Sequence, residues 1–483
     1  MPSKDENVVG YRVYRASEES GPFRQISPGW HKPTVYSDFL GVNNQWYYYR
    51  VTAIGRDRSE SAPSDIRLAR SRKMTDEQLL TSVQEATFRY FWDWGHPVSG
   101  MARENYPARR ERVTTGGTGF GMMAIIAGVD RKFVSRTEAA WRFKKMLTFL
   151  EEKAHRYHGA WPHWLDGATG KTVRFTKFDD GGDLVETSFL IQGILTARQY
   201  FNGSDPVEAD IRKRATRLWR AVEWDWYLSK PDKKGLVWHW SPNYGFKKNL
   251  RIGGRFNECM ITYLLAIASP THPIPASCYH TGWARSRLSY VNGKKYYGYI
   301  QPVGVPLGGP LFFTHYSYLG FDPRRKRDKY CNYFVNNRNT TLINRAYCID
   351  NPLKHKGYGP NVWGLTACWT PDGYNANAPG RRDTGTIAPT ACISAMPYAP
   401  KESLAAMKHL YHTYGKEIWG PFGFRDAFNP GRDWVAKGYL AIDQGPIVVM
   451  IENHRTGLLW KTFMSNPEIA PALKAVGFEP SAL

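Results

Sequence analysis

Two hydrophobic periods divide the chain. From residue 8 to 70, apolar and polar positions alternate through VVGYRVYRA, GPFRQI, TVYSDF, QWYYYRVTAIG and ESAPSDIRLA, with turn residues between them. Successive side chains of a strand point to opposite faces, so this spacing predicts short strands and a β-sandwich. Ser71–Met74 reads as a linker. At Thr75 the period lengthens to that of a helix, and Thr75 with Gln78 forms a capping-box pattern opening TDEQLLTSVQEATFRYFWDW. Further helices are predicted at 117–129, 135–157, 184–202, 206–228, 256–269, 310–319, 326–346, 386–397, 401–415 and 434–463, the last as more than one helix. Their connections 158–182, 229–254, 270–309 and 347–385 are long and rich in Gly, Pro, Trp and Asn. Long loops in a compact domain usually carry function. Helices with such loops suggest an (α/α)6 toroid, although no repeat marks it and the pattern does not single it out. The expected organisation is a small β-domain over 1–70 and a helical domain over 75–483.

Composition narrows this picture. A chain of 483 residues exceeds what one core usually serves, and 42% hydrophobic residues place it among globular proteins. The longest apolar stretches, Met122–Val129 and Ile447–Ile451, fall well short of the ~18 residues that span a bilayer, so no membrane insertion is expected. The chain begins MPSKDENVVGYRVYR, without the apolar core of a signal peptide. Net charge is +22, and residues 1–70 hold ten Lys and Arg against eight Asp and Glu, so nearly all of it lies beyond them. Apart from Arg109–Arg112 and Arg324–Lys329 the cations are scattered, with no zinc-finger spacing and no RNA-binding aromatic signature. A solvated basic face is expected, and no nucleic acid. The six cysteines all lie at or beyond Cys259 and form no CxxC, which fits buried thiols, with a pair or two if the protein is exported. Core packing accounts for most of the 18 Trp, 29 Tyr and 23 Phe, and the rest suit a carbohydrate cleft.

The chemistry concentrates in KFDDGGDLVETSFLIQG (177–193), where Asp179, Asp180, Asp183 and Glu186 fall within eight residues around a Gly-Gly turn. Glycoside cleavage by inversion needs a carboxylic acid beside the leaving oxygen and a base for water on the other face. The competing reading is structural, because Asp183-x-x-Glu186 is also a helix-capping pattern. Glu258 follows Asn257 in the expected first turn of a helix, where the dipole lowers a carboxyl pKa. An acid role therefore requires burial or a like charge to reverse that. Asp426, Asp433 and Asp443 are later candidates, Asp443 in an apolar run. TGGTGFG (115–121) lacks the Lys-Ser/Thr of a phosphate loop and reads as tight helix packing. His158, His163 and His239 sit beside Trp or Tyr without metal-ligand spacing, and no metal or other cofactor is expected.

Two resemblances add to this. GYRVYRA and YYYRVTAIG look like the third and sixth strands of a fibronectin type III module. Its first two strands have no counterpart before Gly10, so the natural chain is expected to start earlier. Trp30, Trp46 and Tyr47–Tyr49 are its only sugar-stacking candidates, and a spacer is the expectation. From Met74 to about Pro467 the chain resembles the bacterial glucoamylase-like family, glycoside hydrolase family 144. The motifs, in order, are FRYFWDWGHPVSGMARE (88–104), TTGGTGFGMMAI (114–125), KFDDGGDLVETSFLIQG (177–193) and RFNECMITYLLAIASPTHPI (255–274). They continue with GPLFFTHYSYLGFDPR (309–324), NRAYCIDNP (344–352), YGPNVWGLTACWTPDGY (358–374), DTGTIAPTA (383–391) and AIDQGPIVVMIENHRTG (441–457). The resemblance implies an (α/α)6 barrel that hydrolyses β-1,2-glucan, and internal cleavage of the linear polymer by inversion is the expectation. The resemblance also implies Asp179, Asp183 and Glu186 as the acidic trio and Glu258 as the family's other key glutamate, to which the general-acid role is assigned, and the IDQGP context assigns Asp443 to the base side, acting directly or through a water chain. Trp161, His163, Trp164, Trp238, His239, Tyr374, Asp383 and Thr384 are the expected substrate contacts. A monomer exported to the periplasm or beyond is expected. Sophorose release from chain ends, action on cyclic glucans, and glycan binding without cleavage are the alternatives.

Overall fold

The computed structural model describes residues 5, 7–27, 31, 34–108, 111–228, 232–248, 250–285 and 287–482. Trp30, Arg109 and Arg110 lie outside the described residues. Residues 8–70 form a four-stranded antiparallel sheet in the order β2-β1-β3-β4, from β1 (Val8–Ala16), β2 (Arg24–Gln25), β3 (Trp46–Gly55) and β4 (Arg67–Arg70). The expected sandwich is corrected: among the described residues this segment makes one sheet. The irregular stretch before β3 lies against it instead of a second sheet. There Asp38 accepts from Arg15 at 2.8 Å and from the Tyr49 hydroxyl at 2.9 Å, and Tyr36 donates to the Ile26 carbonyl at 2.7 Å. β4 is exposed at every residue and carries Arg67 and Arg70, a charged edge of the kind that resists further pairing. Trp46 is 53% exposed and its ring faces the Arg70 guanidinium.

The sheet docks on the helices through Phe39, whose ring meets Tyr411 edge-on at 5.1 Å. Thr75 and Gln78 make the predicted capping box, at 3.2 and 3.0 Å, at the start of α1 (Asp76–Trp92).

The helices are of two kinds. α2 (Thr115–Asp130), α4 (Leu184–Tyr200), α6 (Met260–Ala268), α9 (Pro389–Ile393) and α11 (Ala441–Arg455) are buried nearly all round. α1, α3 (Arg136–Glu152), α5 (Pro206–Arg220), α8 (Tyr333–Asp350) and α10 (Pro400–Ile418) bury one face. A helix apolar on every side must be enclosed, and a one-sided helix encloses it. Accordingly α2 packs on α4 and α11, α4 on α5 and α6, α1 on α11, and α9 on α10 and α11. Three short helices, α7 (Arg287–Tyr290), α12 (Leu458–Met464) and α13 (Ile469–Ala475), complete the set among the described residues.

The α2–α4 crossing explains TGGTGFG as packing. A Cβ on Gly119 would lie 2.1 Å from the Phe189 carbonyl oxygen, and one on Gly193 would lie 2.3 Å from that of Gly119. The two backbones touch, and a side chain at either position would push them apart.

Several predicted helices are shorter. The 206–228 helix ends at Arg220, and the 310–319 segment is two single 3-10 turns, Leu311–Thr314 and Tyr316–Tyr318. The 326–346 helix begins at Tyr333, where Asn332 caps it, because Lys326–Arg327 pairs with Glu479–Pro480 instead. The long 434–463 segment starts its helix only at Ala441, since Trp434–Val435 pairs with Phe428–Asn429. All six cysteines are free and buried. No helix among the described residues is long and apolar enough to cross a membrane.

Short strand pairs staple the long loops: β5 (Asn105–Tyr106) to Tyr439–Leu440, β6 (Arg112–Thr114) to β7 (Trp164–Asp166), β7 to β8 (Thr172–Val173), and β9 (Gly182–Asp183) to β10 (His239–Trp240). The helix starts gather at one end. Ser188 near the start of α4 bonds Thr262 of α6 at 2.8 Å, and Thr390 at the start of α9 donates to the Asp443 carbonyl of α11 at 2.6 Å.

Candidate active site

The carboxylates lie at this end, among helix N-termini whose unpaired N–H groups attract acceptors. Asp183 caps α4: its Oδ1 accepts from Val185 N and Glu186 N, each at 3.0 Å. Its Oδ2 is 3.1 Å from His163 Nδ1. Capping and site-building are thus the same act. Glu186 Oε2 accepts from the backbone N–H of Gly116 at 2.7 Å, and Oε1 is 3.9 Å from His163 Nε2. Asp179 Oδ1 is buried without a hydrogen-bond partner. Burial first, and the charge of Asp183 next, raise the Asp179 carboxyl well above the ordinary range; burial does the same to Glu186. Burial works against a charged His163, but Glu186 and the bond to Asp183 prevail and push it up to about 10. His163, Asp179 and Asp183 can bring one donor atom each within 4.8 Å of one another.

Glu258 sits in the turn before α6, two residues short of the helix predicted to contain it. The Ser317 hydroxyl holds its carbonyl, and Cys259 N donates to Asn257 Oδ1 at 3.0 Å. Its side chain is 9% exposed, and burial raises it to about 7 against the help its own N–H and the Cys259 thiol give the anion. The reversal that the sequence required is present, and desolvation is its cause. A carboxyl that holds its proton near neutrality is suited to general acid work.

A third carboxyl group is a pair. Asp443, in the first turn of α11, accepts from the Tyr316 hydroxyl at 3.3 Å, and Asp426 accepts from Trp369 N at 2.7 Å. Asp426 Oδ1 and Asp443 Oδ2 are both buried without a hydrogen-bond partner, and burial followed by the charge of the neighbouring Asp426 raises Asp443 well above its ordinary range. Two buried carboxyls in contact cannot both ionise, so the pair keeps one proton and one charge. Tyr316 also feels the charge of Glu258, which places it near both groups.

The expected substrate contacts divide. Trp161 is wholly buried, its indole N–H donating to the Leu150 carbonyl at 3.3 Å, so it is a wall and not a stacking platform. Asp383 Oδ1 accepts from Tyr358 at 2.6 Å and from Gly385 N at 3.0 Å within its own loop, while Oδ2, 3.3 Å from His355, is buried without a hydrogen-bond partner. Thr384 donates to Asn377 at 2.5 Å and belongs to that loop's interior. Trp238 is half-buried beside the trio, its carbonyl accepting from Leu184 N at 2.7 Å. Trp164 is half-buried with one face covered by the Arg112 guanidinium at 3.8 Å. His239, opposite Asp183 across β9–β10, has neither ring nitrogen partnered, and burial lowers its pKa so that it is neutral. Tyr374, in the hairpin of strands Ala367–Thr370 and Gly373–Ala376, is 58% exposed.

Four residues at the site were not singled out from the sequence as site residues. Phe175 stacks on His163 at 4.0 Å and leaves 43% of its surface open. Tyr316 and Glu104 carry no distinguishing signal in the sequence, and nothing local sets Asp426 apart from Asp433 and Asp443.

Buried carboxyls that retain protons near neutrality, at one end of a helical domain with open aromatic rings beside them, suit the acid–base cleavage of a glycoside, and the relatives of this chain are glycoside hydrolases. The chain belongs to the glucoamylase-like family. The family model described as "Putative glucoamylase" matches residues 253–467. An exo β-1,2-glucooligosaccharide sophorohydrolase (non-reducing end) of Parabacteroides distasonis is 45% identical over 494 residues, covering 99% of this chain and 68% of that protein. The crystal structure of a β-1,2-glucanase from P. distasonis superposes with a TM-score of 0.92 at 45% identity, over 98% of this chain and 70% of that one. The endo-β-1,2-glucanase of Chitinophaga pinensis, solved with sophorotriose and glucose, gives 0.81 at 49% identity, over 84% of this chain and 99% of that one.

Proposed function

We propose that this protein hydrolyses β-1,2-glucan by inversion, with Glu258 as general acid and the Asp426–Asp443 pair on the base side. The observation that carries the reading is the buried Glu258 carboxyl, held at about 7 at the cleft end of a chain 45% identical to a sophorohydrolase over 99% of its length. Glu258 gives its proton to the glycosidic oxygen as the bond breaks. Water attacks the anomeric carbon from the other face, and its proton passes to the ionised member of the pair, directly or along a water chain. Asp183 and Glu186, fixed by backbone N–H groups, and Asp179 with its open Oδ1 accept sugar hydroxyls.

Internal cleavage is the first reading of product pattern, supported by the match to 99% of the C. pinensis endo-enzyme. Release of sophorose from non-reducing ends is the second, favoured by a match that includes the N-terminal sheet. The enclosed and enclosing helices support an (α/α)6 toroid of glycoside hydrolase family 144 over 75–483, and the antiparallel sheet within 8–70 supports a spacer. A polymeric substrate is consistent with a monomer working in the periplasm or outside the cell. Digestion of a panel of linkage-defined glucans tests the reading, with sugar expected only from the β-1,2 polymer.

A further inference from the structure

Glu104 ends the motif FRYFWDWGHPVSGMARE, and the reaction above leaves it without a task. Its loop runs between the starts of α2 and α11. Thr114 N donates to the Ala102 carbonyl at 3.1 Å, and Ala441 N donates to the Glu104 carbonyl at 3.0 Å. β5, immediately after it, pairs with Tyr439–Leu440. Two residues beyond Thr114 is Gly116, which binds Glu186; two residues beyond Ala441 is Asp443. The backbone therefore sets Glu104 where the acidic trio and the carboxyl pair approach each other. Its side chain is half-buried, and among the described residues it has no ion-pair or hydrogen-bond partner. Its charge reaches Asp443, Glu186, His163 and the phenols of Tyr374 and Tyr90.

The positive charge among these groups is on His163, which is bonded to Asp183, so the Glu104 carboxylate stands among other acids without a direct counter-ion. It can only accept hydrogen bonds, and a sugar ring presents several hydroxyl donors at once. We propose that Glu104 is a further substrate-binding residue, whose carboxylate accepts hydroxyls of the sugar that bridges the Asp179–Asp183–Glu186 group and the Asp426–Asp443 pair. This rests on the glucan reading above.

The test compares Glu104→Gln and Glu104→Ala with the wild type on β-1,2-glucooligosaccharides, together with oligosaccharide binding by calorimetry in a Glu258→Gln background. Hydrogen bonds to charged groups amount to about 10- to 100-fold in affinity. The alanine variant is expected to bind at least about 10-fold more weakly and to lose kcat/KM by at least that factor. The glutamine variant, keeping one acceptor oxygen, is expected to lose less. Unchanged binding and a kcat/KM within twofold in a folded variant would overturn the proposal. If Glu104→Ala fails to fold, the same criteria apply to the near-isosteric Glu104→Gln. A wild-type protein that releases no sugar overturns both this and the glucan reading, whereas a cleaving wild type with an unaffected variant overturns this one alone.

Discussion

The backbone N–H of Gly116 donates to Oε2 of Glu186 at 2.7 Å, and a Cβ on Gly116 would lie 2.5 Å from that same oxygen. One contact thus joins two helices and orients a carboxyl of the site. The glycines that let α2 and α4 touch also let the cleft form, so packing and chemistry respond to the same substitutions.

Gly119→Ala, one turn further along the crossing, must separate backbones in contact. Overpacking in a tight core costs about 1–3 kcal/mol and more where backbone must move. The expected result is a lower Tm with lost activity. Gly116→Ala should lose activity with a smaller loss of Tm, because the atom displaced there belongs to a side chain.

Glu258→Gln removes a proton donor without changing shape. Turnover should fall by about 10²–10⁴-fold with oligosaccharide binding kept. Stability should change with pH in a defined sense. The folded carboxyl is raised to about 7, so the wild type binds an extra proton on folding between the unfolded pKa and 7 and loses stability as pH rises through that window. The amide has no such loss. At pH 8 the variant is expected to be the more stable by up to about 3 kcal/mol, and near pH 4 the difference should vanish. Equilibrium unfolding at the two pH values measures this.

His163 works in the other direction along the scale. Its pKa rises from 6.5 to about 10, so its bonds to Asp183 and Glu186 stabilise fully below the unfolded value and are lost as pH climbs through about 10. His163→Gln should flatten the fall in Tm between pH 7 and pH 10. A wild-type Tm that is level across this range would contradict a charged His163.

The trio was legible in the sequence because its members are neighbours in the chain, and Glu258 because an acid at a helix start is conspicuous. Asp183 shows why two readings could both stand, since the cap is what orients the carboxylate toward His163. The Asp426–Asp443 contact joins residues from a loop and a helix, and no local pattern records such a meeting. Glu104 was hidden for the same reason: its meaning comes from the backbone bonds to Ala441 and from β5, which are tertiary facts. Asp383 and Trp161 illustrate the reverse, where suitable chemistry is taken up by Tyr358 and the Leu150 carbonyl. In residues 8–70 the alternation revealed strands, but period two does not say whether a second layer is sheet or irregular chain.

The N-terminal sheet touches α10 through Phe39, whose ring fills the space above Gly415. Phe39→Ala should lower Tm by several degrees, since burying a large aromatic contributes about 1.5–3 kcal/mol, and should leave hydrolysis within a few-fold of wild type. Loss of activity in a folded Phe39→Ala protein would show that the sheet builds part of the cleft.

The most direct measurement is product analysis of wild type and Glu258→Gln on linear β-1,2-glucan at neutral pH. The account predicts β-1,2-linked oligosaccharides, sophorose among them, from the wild type, and reaction slowed by at least about 10²-fold in a variant that still binds the polymer. Sugar release by Glu258→Gln at a near wild-type rate, or no release by the wild type, would contradict it.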